Sequence, residues 1–130
     1  MTRYEECGVL SGVLIGESLR VGSVLNSVPL HVTSVRRIEV GDAADGQPGR
    51  WTLLDFQAPE ADAERLAEAI AGCLEPTGGW YVNYNTTTEA FVVFAGRVFR
   101  YPRGDAASRA EVQAYGRSVG VPDQQLDWED

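Results

Sequence analysis

Residues 80–101, WYVNYNTTTEAFVVFAGRVFRY, decide the fold. Aromatic and β-branched residues fill three runs, and turn-forming stretches at 86–89 and 95–96 separate them. The pattern predicts a three-stranded antiparallel meander. A turn at Ala95 and Gly96 pairs Phe94 with Arg97. Val92, Phe94, Arg97, Phe99 and Tyr101 then share one face, and Phe91, Val93, Val98 and Arg100 the other. The 86–89 turn sets the first strand. A four-residue loop places Tyr81, Asn83 and Asn85 with Phe94; a five-residue loop places Trp80, Val82 and Tyr84 there, and both stay open. In either register both faces carry large apolar groups. Burying each contributes roughly 1.5–3 kcal/mol, a large part of a net stability of about 5–15 kcal/mol. The second face therefore needs a cover: a dimer interface, a ligand, or residues 1–31.

Upstream, residues 51–57 (WTLLDFQ) are apolar at both odd and even positions, which predicts a central strand. Residues 32–40 (VTSVRRIEV) predict another, with Val32, Ser34, Arg36, Ile38 and Val40 on one face and Thr33, Val35, Arg37 and Glu39 on the other. The loop at 41–50, with three glycines and a proline, joins them. A short strand is expected at 13–18, with 22–30 irregular around Pro29. The first helix is expected over 59–74. Pro59 opens it, acids at 60, 62 and 64 suit its N-terminus, and Leu66, Ile70, Cys73 and Leu74 form its buried stripe. The second is expected over 105–119, with Asp105 as N-cap, Val112, Tyr115, Gly116 and Val119 on one side, and Gly120 and Pro122 as the stop. Leu126 and Trp128 suggest that the tail folds back. The expected fold is one α+β domain over residues 1–130. It is a two-layer sandwich of a five- or six-stranded, mostly antiparallel sheet with two helices on one face and one strand–helix–strand crossover.

The chain carries 19 acidic residues against 11 arginines and no lysine, a net charge of -8. Such a surface repels phosphate backbones, which argues against nucleic acid as a partner, and it attracts basic proteins or cationic small molecules. The charge also serves solubility. Composition of this kind matches a high-GC bacterial origin. No signal-peptide pattern and no apolar run of membrane-spanning length are found, so a cytoplasmic location, no membrane partner and reduced thiols are expected.

Chemistry-bearing motifs are scarce. His31 is the single histidine, and with no two-histidine or CxxC spacing no metal site is expected. Cys7, beside Glu5 and Glu6, is a poor nucleophile because neighbouring anions raise a thiol's pKa. Ser11 and Ser18 lack a nucleophile-elbow context. No phosphate-binding glycine pattern occurs, and no cofactor is expected. Arg97, Arg100 and Arg103 form a basic cluster that with Tyr81 and Tyr101 can hold an anionic or aromatic ligand, or can pair with Asp105 and Glu111 as a charged sheet edge. Asp55 is a buried acid–base candidate or the ion-pair partner of Arg36 or Arg37; the pair is favoured.

The segments WYVNYN, FVVFAGRVFRYPR, AYGRSVG and VPDQQLDW resemble a small family of uncharacterised bacterial α+β proteins with a Trp-Tyr strand, a VVF-x-x-(R/K)-VF hairpin and a C-terminal G-(I/V)-P-x-x-Q-L-D element. The resemblance spans residues 50–128 and implies a shared fold unit, with no activity and no catalytic residue carried over.

The leading expectation is a non-catalytic binding or interaction module. It uses the second sheet face, with Tyr81, Asn83, Phe94, Arg97, Phe99 and Tyr101, for a homodimer, a protein partner or a small molecule. The alternative is a small enzyme or carrier with an aromatic-lined pocket, in which Asp55, His31 or Tyr84 does acid–base work. A third reading, an acidic inhibitor of a basic enzyme, rests on net charge alone.

Overall fold

A computed structural model describes residues 8–41, 43 and 46–130. Eight elements follow in order: β1 (Val9–Ile15), β2 (His31–Glu39), β3 (Arg50–Pro59), α1 (Ala63–Ala71), β4 (Val82–Asn85), β5 (Glu89–Phe94), β6 (Arg97–Pro102) and α2 (Ala106–Ser118). The fold is α+β: six strands form one open sheet in the order β2-β3-β1-β4-β5-β6. Every neighbouring pair is antiparallel. Both β3 and β4 are antiparallel to β1, so they run parallel to each other with β1 between them. The crossover through α1 is present, but it spans β1, and the sheet has no parallel neighbours. Among the described residues no helix is long and apolar enough to cross a membrane.

The meander takes the four-residue loop: Asn85 opposes Ala90 and Asn83 opposes Val92, while Phe94 opposes Arg97 across the second turn. Gly96 occupies that turn with φ +70, which a side chain would disfavour. Alternation then divides the sheet. The first face holds Leu10, Leu14, Phe56, Val82, Tyr84, Phe91 and Val93, packed with Leu66, Ala67 and Ile70 of α1 and with Val28 from the 19–30 connection. The second holds Ala90, Val92, Phe94 and Tyr101, packed with Val112 of α2 and with Val121, Leu126 and Trp128 of the C-terminal segment.

The α+β class and the six strands are as expected. The two helices, however, divide between the faces rather than sharing one. The reason lies in β5, where Phe91 and Val93 on one side and Val92 and Phe94 on the other are all nearly inaccessible. The stripe of α1 is spent on the first face, so the second must find another cover. Nor, among the described residues, do those from 8 to 31 supply it; residues 1–7 lie outside the described residues. Residues 9–15 form β1, a strand inside the sheet, and the 19–30 connection packs on the first face. Gly12 lets the Phe56 ring lie against β1: a Cβ there would stand 2.7 Å from the ring.

Two helix boundaries refine the reading. Pro59 closes β3, and a 3-10 turn, Glu60–Asp62, leads into α1, which ends at Ala71. Leu74 and Cys73 remain buried beyond it, and Cys73 is a free thiol. In α2 the Asp105 carboxylate caps the helix by accepting from the Ser108 N–H at 3.1 Å. Cys7 and residues 42, 44 and 45 lie outside the described residues.

Candidate functional site

The second face is covered over half of its width. Above β4, β5 and β6, α2 and the C-terminal segment close it. Tyr115 stacks edge-on against Phe94 at 4.9 Å, and Trp128 stands edge-on to Tyr81 at 5.6 Å. Polar ties fix this cover. Trp128 Nε1–H donates to the Tyr101 hydroxyl at 2.8 Å, Tyr101 donates to Asp130, Gln113 donates to the Leu126 carbonyl, and Tyr81 donates to the Gln125 carbonyl. Burial pushes the Tyr101 hydroxyl up to about 12. It also raises Tyr81, helped by the Asp127 carboxylate nearby.

Above β2, β3 and β1 no described residue closes the same face. The register gives its residues. On β1, Val13 opposes Asp55 and Ile15 opposes Leu53; on β2, Ile38 opposes Trp51 and Arg36 opposes Leu53. A trough of about 290 Å³ runs here. Val13, Ile15, Leu53, Ile38 and Trp51 form its floor, and Tyr81, Asn83, Gln124, Gln125 and Asp127 its wall. A second groove, lined by Ser11, Thr33, Asp55 and Gln57, meets it at Val13 and extends it along β1. The wall is braced. Trp51 packs on Trp80 at 5.3 Å and donates from its indole N–H to the Pro48 carbonyl at 3.0 Å. Gln47 donates to the Gly78 carbonyl at 2.6 Å and accepts from Gln125 at 3.2 Å, tying the loops before β3 and β4 to the C-terminal segment. On the far side of the floor Arg36 grips Asp55 with two hydrogen bonds, 2.9 and 3.1 Å. These hydrogen bonds hold the Asp55 carboxyl below the usual range, against a smaller opposing effect of burial, as the favoured pairing anticipated.

The six residues singled out in the sequence do not form one surface. Phe94 and Tyr101 are 2% and 4% exposed and belong to the packed interior. Phe99 and Arg97 stack with Tyr115 at the margin of that cover, the guanidinium 4.5 Å from the Phe99 ring centre. Tyr81 and Asn83 line the trough. The trough's floor went unread because β1 is legible as a strand of this sheet only once its pairing with β3 is known. Residues 9–15 are apolar at odd and even positions, so only the pairing of Val13 with Asp55 and of Ile15 with Leu53 places Val13 and Ile15 on this face.

The basic cluster is dispersed. Arg100 pairs with Glu89 at 2.5 Å and Glu64 at 3.1 Å, and Arg103 points to the carbonyls of Thr86 and Thr87. The acid–base candidates do not converge either. Tyr84 is buried on the first face and donates to the Ala63 carbonyl, His31 is exposed at the start of β2, and Asp55 is held by Arg36. Among the described residues no group of metal-ligating side chains occurs. A bulge between Val32 and Ser34 moves Val32 to the face of Val35, where unbroken alternation would have put it with Ser34.

Comparison with known families, curated proteins and solved structures gives no match: no family model, no curated protein and no solved structure. The family resemblance of residues 50–128 therefore adds no function to the site.

Proposed function

We propose that this protein is a non-catalytic binding module and that its ligand surface is the open half of the second sheet face. The observation that carries the reading is the trough itself. Val13, Ile15, Leu53 and Ile38 make an apolar floor beside Trp51, and a braced polar wall bounds it. Val13 and Ile38 remain 37% and 38% exposed although Val92, Phe94 and Tyr101 on the same face are buried. An apolar concavity with a few polar groups at its rim is the usual form of a binding site. The volume suits one or two large side chains or a small apolar molecule.

A neutral solvatochromic dye, Nile red, tests this. The native protein is expected to enhance its emission at one site per chain, and Leu53→Glu is expected to abolish the enhancement while far-ultraviolet circular dichroism stays native. Equal enhancement by both proteins, or none by the native protein, refutes the reading.

A further inference from the structure

From the dimensions and charge of the trough we infer that its occupant is a short amphipathic helix of a partner protein, with a basic residue facing Asp127; this rests on the binding reading above. Width comes first. Three strands about 4.8 Å apart leave a floor roughly 10–14 Å across, and a helix with its side chains is about 10–12 Å wide. The length matches too. β1 spans seven residues, about 23 Å at the usual rise, which some fifteen helical residues cover.

Area argues against a second copy of the chain. A floor of these dimensions offers on the order of 300 Å², whereas a standard interface takes about 800 Å² per partner. Self-association would also bring two chains of net charge -8 together. The outer edge of β2 is a poorer dock for a strand, since it carries a bulge and the charges of Arg36 and Arg37.

Charge then selects the partner. Among the described residues Asp127 is the only charged side chain lining the 290 Å³ part of the trough, and it makes no ion pair, whereas Asp55, in the groove that extends it, is held by Arg36. The arginine on the far side, Arg36, is neutralised by Asp55. A cationic group near the wall is therefore attracted both by Asp127 and by the chain as a whole.

The test titrates the full-length, ¹⁵N-labelled protein with a fifteen-residue helical peptide carrying leucines on one face and lysines on the other, and in parallel with its glutamate twin. The lysine peptide is expected to shift the amides of Val13, Ile15, Leu53, Asn83 and Asp127. Asp127→Asn is expected to weaken it about threefold, the scale of an exposed ion pair. Leu53→Glu, with Val13→Glu as a second floor variant, is expected to abolish the shifts although it adds negative charge. Preferential binding of the glutamate twin at these amides overturns the basic partner and leaves the trough as a binding site. Binding that strengthens in Leu53→Glu, or no shift from either peptide, overturns both. Concentration-dependent shifts of the same amides without peptide make a second copy the occupant and overturn the inference.

Discussion

Replacing Trp128 by alanine measures how much the C-terminal cover contributes. The ring is 4% exposed, stands edge-on to Tyr81, lies under the Arg109 guanidinium at 5.5 Å, and donates from its indole nitrogen to Tyr101 at 2.8 Å. Truncation of a buried aromatic costs about 3–5 kcal/mol. Against a total of about 5–15 kcal/mol, that is a substantial fraction. With a urea slope of about 1–3 kcal/mol per molar, the midpoint falls by at least about 1 M. Trp128→Phe separates packing from polarity. Most of the ring stays, the donor to Tyr101 is lost, and the expected cost is about 1 kcal/mol. Equilibrium urea unfolding followed by circular dichroism gives both values. A Trp128→Ala shift below about 0.3 M, or equal shifts for the two variants, means that the segment does not close the second face.

Three further outcomes follow from the same contacts. Gly79→Ala is expected to destabilise strongly, because Gly79 has φ +69 and a Cβ would stand 2.5 Å from the Gly120 carbonyl oxygen; its melting temperature should fall well below that of Gly22→Ala, which meets nothing within 4 Å and carries only the conformational cost. Asp55→Asn removes an exposed ion pair and is expected to shift stability by no more than about 1 kcal/mol, read from the same urea curves. Stability should show a plateau with two edges. Glu17, which accepts from the Thr52 N–H and hydroxyl at 2.6 and 2.9 Å, is held below its ordinary 4.5 by these bonds against the larger single effect of burial, so its contribution is full above that value and is lost as pH falls through the lowered one. The raised Tyr101 acts in the opposite direction: its contribution is full below 10 and is lost as pH rises toward about 12. Thermal melts from pH 2 to pH 12 check both edges, and a loss of stability confined to neutral pH would contradict the assignment.

Local signals in the sequence carried the meander, the Asp105 cap and the pairing of Asp55 with Arg36 or Arg37, because each depends on residues close in sequence or on one strand pair. The folding back of Leu126 and Trp128 was legible from their apolarity in an acidic tail. The central position of β1 was not. It pairs with residues 38 to 50 positions away in β3 and 72 away in β4, and its seven residues carry no distinctive local pattern. The bulge near Thr33 was equally hidden, since it depends on how β2 meets β3 and not on β2 alone. These two non-local features decide which side chains meet on the open half of the second face. Most of the candidate site therefore had to come from the fold: Tyr81 and Asn83 could be named in advance, whereas Val13, Ile15, Leu53 and Asp127 could not.

Hydroxyl-radical footprinting of the free protein tests most directly whether one half of this sheet face is closed by the chain's own C-terminus and the other left bare. Rapid oxidation is predicted at Val13, Ile38, Trp51 and Leu53, and slow oxidation at Phe94, Tyr101, Leu126 and Trp128. Oxidation of Trp128 and Phe94 as fast as that of Trp51, or protection of Val13 and Leu53 in dilute free protein, would contradict it.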